Sequence, residues 1–352
     1  MKLFALACAL ASVSSAIAFP QYRLEFLRDI DGVELLVPKI NDRGDIIAYR
    51  PNFGGIVAFV NGQRYFVSES ASANFGITDI NEQGVAAVYT DDGRMYTWSV
   101  QTGLVELPRP SASPSTYRIH AINDNGTIVG RQFSADGSFA ISDFTITADR
   151  QVIVHHVAYV GLDINNSDRA VGAAGDIAGF YRDLGSAEQF VQGFGTESRP
   201  ELIDDDGTMY GTGFDPNFNP NARLSILRWQ TPDTVEELYR GFWQGDIYSS
   251  GNGLLAASFS PIRNGRATVH VWSGSSGFVN TADLLDSDSR ALNLIPFTSW
   301  DLNASGVISV DVRQTDQSIG FRSAILRPVP EPGTMLVLGA GLIALLRRKR
   351  TT

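Results

Sequence analysis

The sequence has very little cysteine and histidine, and each shortage excludes a class of chemistry. Its single cysteine, Cys8, lies near the N-terminus, so the rest of the chain forms no disulfide and no thiolate site. The four histidines show no HExxH or other paired spacing typical of a metal enzyme. A G-x-S-x-G elbow and a P-loop are also missing. The chain therefore lacks the signals of common thiol, serine, zinc and nucleotide-dependent enzymes.

Positive charge is also scarce. The net charge is −10, and several of the cations lie at the two ends of the chain. Lys39 is the only lysine between Lys2 and the C-terminal basic cluster. A nucleic-acid-binding protein needs a basic footprint to neutralise phosphates. The sequence therefore predicts no nucleic acid partner and an acidic surface suited to an extracellular setting.

The first 18 residues have the three parts of a secretory signal peptide. Lys2 provides the charged start, Leu3 to Leu10 form the apolar stretch, and Ala16-Ile17-Ala18 is a small-x-small cleavage site before Phe19. A lipoprotein signal ending at Cys8 would leave only seven residues upstream. We therefore expect export through the Sec translocon and cleavage by signal peptidase after residue 18.

The C-terminus has a second targeting pattern. Pro330 and Pro332 hold Glu331 in extended backbone, since proline disfavours helix on both sides of it. The apolar run from Met335 to Leu346 would span about 18 Å as a helix, whereas a bilayer core is about 30 Å thick. A basic tail follows and is expected to stay cytoplasmic. Its residues are Arg347, Arg348, Lys349 and Arg350.

These three features in this order resemble the PEP-CTERM sorting signal of Gram-negative bacteria. The resemblance implies recognition by an exosortase, a membrane-embedded enzyme that cleaves near Pro330-Glu331-Pro332. It also implies transient anchoring in the inner membrane by the C-terminal helix, and display at the cell surface or in the matrix of bacteria that make exopolysaccharide. An ordinary tail anchor is the alternative interpretation.

The region between these ends contains a repeated turn. Seven copies follow an Ile-Asn-x-x-Gly pattern at intervals near 40 residues, the usual length of one four-stranded propeller blade. The copies begin at Ile40, Ile80, Ile122, Ile164, Ile203, Ser249 and Leu302, and the sixth, with Ser250 in place of Asn, is the weakest. Asn favours the first position of a type I turn, and Gly favours the fourth. An apolar run follows each turn, as expected for a buried strand.

Each repeat is predicted to be an antiparallel meander that cannot bury both faces alone, so neighbouring units must stack and close into a ring. We predict an all-β, seven-bladed β-propeller over residues 19–327, with a signal peptide at 1–18 and a sorting signal with a short transmembrane helix at 328–352. The strand-like segments Tyr22–Leu27 and Val33–Val37 are expected to complete the last blade. An open solenoid is the alternative.

The repeats also resemble HAF-type extracellular repeats. The match is best over Ile122–Gly130, which reads INDNGTIVG. The resemblance implies an exported repeat domain and brings no catalytic residues with it.

Aromatic residues in three longer connections are candidates for ligand binding. The connections are 214–223, 241–250 and 286–300, and exposed aromatic rings can stack on sugars. The candidate residues are Phe242, Trp243, Tyr248 and Trp300. The simpler interpretation is that these side chains cap the ends of blades.

The turn at Asp301, Asn303 and Ser305 matches the first half of a calcium-binding loop. Val312 stands where an EF-hand has its glutamate, and turn residues recur here because the turn recurs. We therefore predict no metal site and no cofactor, with these three residues as weak calcium candidates.

The sequence predicts an exported, non-enzymatic binding or scaffolding protein, associated with exopolysaccharide in a biofilm matrix. A polysaccharide-active hydrolase or lyase is the alternative, because a carboxylate pair can assemble from separate blades.

Overall fold

The computed structural model describes most of the chain between residues 19 and 329. The residues it leaves out within that range are 29–30, 52–54, 69–74, 112–115, 136, 138–139, 156–158, 175–177, 184–185, 187–188, 195–196, 215–223, 243–244, 250–252, 261–265 and 315–321. The described part is almost entirely β-structure. It forms a ring of four-stranded antiparallel sheets, which is a β-propeller.

Six blades are each built from four consecutive strands, with the first strand innermost. Blade 1 has β2 (Leu36–Ile40), β3 (Ile46–Arg50), β4 (Gly55–Val60) and β5 (Gln63–Ser68). Blade 2 has β6 (Phe75–Ile80), β7 (Ala86–Thr90), β8 (Met95–Ser99) and β9 (Gly103–Glu106). Blade 3 has β10 (Thr116–Ile122), β11 (Ile128–Phe133), β12 (Ala140–Ile146) and β13 (Val152–His155).

The other three blades have the same order of strands. Blade 4 has β14 (Tyr159–Ile164), β15 (Arg169–Ala174), β16 (Ala178–Asp183) and β17 (Gln189–Phe190). Blade 5 has β18 (Glu197–Ile203), β19 (Met209–Phe214), β20 (Leu224–Thr231) and β21 (Thr234–Phe242). Blade 6 has β22 (Gly245–Ser249), β23 (Leu254–Phe259), β24 (Thr268–Ser273) and β25 (Gly277–Asn280).

The remaining sheet, which we call the closing sheet, is assembled from both ends of the chain. The strands β26 (Leu294–Leu302), β27 (Ile308–Gln314) and β28 (Arg322–Val329) are joined at the outer edge by β1 (Gln21–Phe26). The β1–β28 pair runs from Gln21 opposite Val329 to Phe26 opposite Ala324. The short helices α1 (Thr281–Leu284) and α2 (Ser287–Arg290) lie against β1, where the Leu24 amide donates to Ser289 Oγ at 2.9 Å.

The structure corrects the prediction of seven blades formed by seven equivalent repeats. Six blades are continuous in sequence, and the further sheet is of mixed origin, because a ring of meanders must join its first and last segments to leave no open face. The predicted pairing of Tyr22–Leu27 with the end of the chain is confirmed by β1. The same prediction for Val33–Val37 is wrong, because this segment leads into β2, where Leu36 pairs with Tyr49 of blade 1.

The predicted transmembrane helix is also absent from the fold that the structure describes. No helix among the described residues has the length and apolar character to cross a bilayer. Met335–Leu346, to which the prediction applied, lies outside the described residues.

Small residues occur in the second strands where the backbone of the innermost strand comes close. Each of six innermost strands contains a β-bulge near its end, which pushes its backbone toward the second strand. A Cβ on Gly130 would lie 2.6 Å from the Arg118 carbonyl oxygen, and one on Gly211 would lie 1.8 Å from that of Arg199. Glycine is therefore required by contact within the blade.

Apolar side chains fill the space between neighbouring sheets. One cluster joins Ile47 and Ile56 of blade 1 to Ile80 and Trp98 of blade 2. On the two flanks of the closing sheet, one cluster includes Leu326 together with Val271 of blade 6, and another includes Ile325 together with Ile46 of blade 1. Burial between sheets therefore continues across the point where the two chain ends meet.

The closing pair of strands is predicted to limit stability. Leu24 is 7% exposed and faces the closing-sheet core, whereas its neighbour Glu25 points outward to Arg327. We expect Leu24→Ala to lower the free energy of unfolding by about 2–5 kcal/mol, because it removes buried methyl groups and leaves a cavity. The matched variant Glu25→Ala should cost at most about 1 kcal/mol. Urea unfolding followed by tryptophan fluorescence measures both, and equal costs would contradict a closing role for β1.

Candidate functional site

The repeated asparagine joins each blade to the next. In the turn at Asn123, the side-chain oxygen accepts the Thr127 amide at 2.9 Å, and the side-chain nitrogen donates to the Asn165 carbonyl of blade 4 at 2.9 Å. Asn81 bonds Asn123 O at 2.9 Å in the same way. The same donation is made by Asn41 to Asn81, by Asn165 to Asp204 and by Asn303 to Asn41. One amide therefore shapes its own turn and holds the neighbouring turn.

A row of polar side chains after the asparagines forms a second set of links. The Asp42 amide donates to Glu82 Oε1 at 2.6 Å, and the Glu82 amide donates to Asp124 Oδ1 at 2.7 Å. The row continues through Asn166 to Asp205, with amide-to-oxygen distances of 2.7 and 2.8 Å. Burial raises the pKa of Glu82, and the charges of Asp42 and Asp124 raise it further. The carboxylates at this end of the channel are thus held together by backbone donors despite their repulsion.

Three more carboxyl groups lie deeper, at the bulges of the innermost strands. Each accepts the amide of the next residue in its own strand and an amide from the adjacent sheet. Asp163 accepts from Ile164 and from Ile203, both at 2.8 Å. Asp301 accepts from Leu302 and Ile40, both at 2.9 Å. Asp79 does the same with Ile80 at 2.8 Å and Ile122 at 3.4 Å.

Burial shifts the acidity of this inner set. It raises the pKa of Asp163 to about 7, with a further increase from the neighbouring Asp79. Burial and the charge of Asp301 raise the pKa of Asp79 to about 6, while Lys39 opposes the shift. The pKa of Asp301 is also raised by burial, and Lys39 is the main influence that lowers it. The inner carboxyls therefore hold protons at a pH where exposed aspartates are ionised.

Lys39, the only lysine between Lys2 and the C-terminal basic cluster, lies among these groups. Its ammonium donates to the Trp300 carbonyl at 2.7 Å and lies 5.0 Å from the centre of the Tyr248 ring. It occupies in blade 1 the position that Asp79, Asp163 and Asp301 occupy in their sheets. The sequence shows that Lys39 is the only lysine between the two ends of the chain. Its place beside the channel carboxyls follows from the β-bulge in β2 and could not be read from the sequence.

These groups surround a cavity of about 220 Å³ at one end of the channel. Its lining comes from blades 1 to 5 and from the closing sheet. The carboxyls and amides that line it are Asn41, Asp42, Asp79, Asn81, Glu82, Asn123, Asp124, Asp163, Asn165, Asn166, Asp204, Asp205 and Asp301. Most of their oxygens already accept hydrogen bonds from the backbone. The cavity is therefore polar, and its walls are held by inter-blade links.

The weak calcium candidates do not form a common site. Asp301 is directed to amides of its own strand and blade 1, Asn303 Oδ1 accepts the Val307 amide at 2.9 Å, and Ser305 is exposed. Within the described part of the chain, no group of three or more His, Cys, Asp or Glu side chains has the arrangement of a metal site. The repeated turn accounts for the sequence pattern at these positions.

Two of the four aromatic candidates lie inside strands and not in loops. Tyr248 lies in β22 and Trp300 in β26, which are innermost strands, so the predicted loop placement of these two is wrong. Tyr248 is half-buried beside Lys39. Phe242 ends β21, and Trp243 lies outside the described residues. Among the described side chains, Phe190 is an aromatic of higher exposure, at 60%, and the sequence analysis did not single it out.

The asparagine links predict a large difference between two neighbouring residues. Asn123→Ala should lower the free energy of unfolding by roughly 2–4 kcal/mol, because it orphans the buried Thr127 amide and removes the side-chain bonds that link the turn to the Asn165 carbonyl and to Asp168. Asn125→Ala, in the same turn but exposed, should change it by less than about 1 kcal/mol. Urea midpoints of the two variants give the comparison, and equal midpoints would contradict the structural role of Asn123.

The inner carboxyls predict a pH dependence. The pKa of Asp163 is raised to about 7 in the folded protein, so between about pH 4 and pH 7 the folded chain keeps a proton that the unfolded chain has lost. The stability of the folded protein therefore decreases as the pH rises through this window. Asp163→Asn should remove that loss, so its stability relative to the parent should increase by on the order of 3 kcal/mol between pH 4.5 and pH 8. The exposed variant Asp149→Asn serves as control. Urea unfolding at both pH values tests this, and a difference that does not grow with pH would refute it.

Comparisons with known proteins identify the C-terminus and the fold. A family model described as the PEP-CTERM protein-sorting motif matches residues 328–350. No curated protein matches the chain. Among solved structures, a virginiamycin B lyase from Staphylococcus aureus, a catalytically inactive form with quinupristin, has a TM-score of 0.57 at 10% identity, covering 88% of this chain and 100% of that one.

Two further solved structures have the same kind of likeness. A streptogramin B lyase has a TM-score of 0.55 at 12% identity and covers 87% of this chain and 98% of its own. YCF48 bound to D1 peptide has a TM-score of 0.51 at 13% identity, covering 91% and 100%. At such identities the similarity shows the fold alone. The chain is a β-propeller with a PEP-CTERM sorting motif at its C-terminus, and that motif implies export and membrane-associated sorting by an exosortase.

Proposed function

We propose that this protein is a non-enzymatic binding or scaffolding propeller of the cell surface or extracellular matrix. The observation that carries the proposal is the direct joining of a sorting motif to a closed propeller. The matched segment begins at Pro328, inside β28, and Pro330 follows the last strand residue, Val329. A propeller that is followed directly by a sorting motif is suited to being presented as a whole outside the cell.

The channel supports a structural role for its carboxyls. A catalytic acid or base must be free to exchange a proton with substrate. Asp163 and Asp301 each accept two backbone amides, and Glu82 and Asp124 each accept one from the neighbouring blade. Withdrawing any of them from this network would orphan a backbone donor. We infer that they hold the blades in register.

Exopolysaccharide is the ligand class that we propose. The motif is that of an exported protein, and exposed aromatic rings such as Phe190 provide apolar faces on which sugars stack. The net charge of −10 opposes binding of strongly acidic polymers. We therefore expect neutral or weakly charged glycans to be preferred. The domain limits that go with this proposal are a signal peptide at 1–18, the propeller at 19–327 and the sorting segment at 328–352.

A polysaccharide hydrolase or lyase is the second candidate. One observation favours it: burial raises the pKa of Asp163 to about 7 and that of Asp79 to about 6, and both line the same 220 Å³ cavity. A protonated carboxyl at neutral pH is what a general acid requires. Turnover of polysaccharide, abolished by Asp163→Asn, would establish this candidate in place of the first.

Glycan-array binding of the exported protein tests the proposal. We expect retention of neutral glycans without release of reducing ends or unsaturated products. Trp243→Ala should weaken retention severalfold if the β21–β22 connection contacts sugar, since stacking on an aromatic ring would be lost. Phe190→Ala on blade 4 is the matched variant, because it removes an exposed aromatic from a different blade.

Three outcomes separate the possibilities. Binding without turnover supports the proposal, and the two variants show which blade carries the ligand. Release of shortened or unsaturated sugars supports the enzyme. No binding to any glycan by folded protein would overturn the exopolysaccharide assignment.

A further inference from the structure

We propose that, while the sorting tail lies in the membrane, the propeller is held with one defined face toward the bilayer. This face, which we call the Asn-turn face, bears the turns that follow Asn41, Asn81, Asn123, Asn165 and Asn303. The opposite face is then presented outward. The inference rests on the membrane-associated sorting that the C-terminal motif implies, and it assigns the surface on which ligands can approach.

The direction of β28 decides which face is nearest to the tail. Leu302 and Ile308 flank the Asn303 turn and pair with each other, and Ile308 pairs in turn with Leu326 near the end of β28. Arg322, at the start of β28, pairs with Val312 toward the other face. A Cβ on Gly306 of the turn would lie 3.5 Å from Pro328 Cγ. The chain therefore leaves the propeller beside the Asn turns.

The N-terminus emerges at the same face. Because Gln21 pairs with Val329, β1 begins where β28 ends. Only Phe19 and Pro20 separate it from Ala18, the last residue of the predicted signal peptide. Both targeting segments are thus attached to adjacent strands of the closing sheet. Before either is removed, the two attachments would hold the same face toward the membrane.

The distance to the membrane segment is too short for the propeller to turn over. Five residues, 330–334, separate Val329 from Met335, the first residue of the apolar run. Fully extended, this connection reaches at most roughly 20 Å. A compact domain the length of 19–329 has a radius of gyration of roughly 20 Å, and so a diameter of roughly 50 Å. The tail cannot pass around the body, so the opposite face stays directed away from the bilayer.

Charge does not produce this orientation. Asp42, Glu82, Asp124 and Asp205 lie at the Asn-turn face, and anionic headgroups would repel them. The short connections to the targeting segments, and not charge, bring the face to the membrane. The opposite face receives the ends of β19 and β21, which would therefore face outward.

Single-cysteine labelling tests the orientation, because Cys8 is the only natural cysteine and lies in the predicted signal peptide. Ser305→Cys and Asn125→Cys place a thiol on the Asn-turn face, near the closing sheet and across the ring from it. Ala135→Cys places one on the opposite face of blade 3. All three positions are exposed. The full chain with Cys8 removed is reconstituted in vesicles and treated with a bulky maleimide-polyethylene glycol that does not cross membranes.

We expect Ser305→Cys and Asn125→Cys to react severalfold more slowly than Ala135→Cys. In a matched set, 30 Gly/Ser residues are inserted between Val329 and Pro330, which adds roughly 30 Å of flexible reach. The insertion should bring the three rates together. Equal rates without the insertion, or slow labelling that persists with it, would overturn the proposal.

Alkaline extraction of the vesicles is done first and separates two kinds of failure. Protein that stays with the lipid is attached by one or both targeting segments, so its labelling reports on orientation. Protein released by the extraction refutes the insertion on which both the sorting and the orientation depend.

Discussion

The side-chain amide of the repeated asparagine is the interaction on which this fold depends. Its oxygen closes the turn that connects the two innermost strands of a sheet, and its nitrogen satisfies a carbonyl of the next sheet. Stacked sheets bury apolar surface without specifying their relative position, because the hydrophobic effect has no direction. A buried amide with both ends bonded supplies that direction. The ring is thus packed by apolar side chains and aligned by amides.

Much of this architecture was predictable, because local sequence patterns indicate it. The period near 40 residues, the Asn and Gly of each turn, and the apolar runs were sufficient to predict antiparallel blades and a ring closed by β1. The prediction that Val33–Val37 joins the last blade was wrong, since a strand-like composition does not show with which sheet a strand will pair. The β-bulges were not predictable, because each inserts one unpaired residue into a strand and no type of residue in the sequence marks its position. They decide that Asp79, Asp163 and Lys39 share a channel.

Targeting and folding meet at one pair of strands. β1 is the first described strand and β28 is the last, and this pair is flanked by the predicted signal peptide and by the C-terminal sorting motif. The ring cannot close until β28 has been made and exported, so most of the chain must wait for its final strand. Long-range pairing of this kind is slow, because a large loop must be closed before the contact forms. Closure is therefore a late event.

The fifth turn differs in one side-chain atom from the five turns that have asparagine. Asp204 stands where the other linking turns have asparagine, and a carboxylate has no N–H to offer to blade 6. The joint between blades 5 and 6 instead contains an apolar cluster, in which the Tyr239 ring is tilted against that of Phe259 with 4.8 Å between the ring centroids. Apolar contacts allow two neighbouring blades to slide against each other, whereas a directional hydrogen bond from an amide opposes such sliding. Under heat or mechanical tension, we expect blades 5 and 6 to shift against each other more readily than blades that an asparagine links.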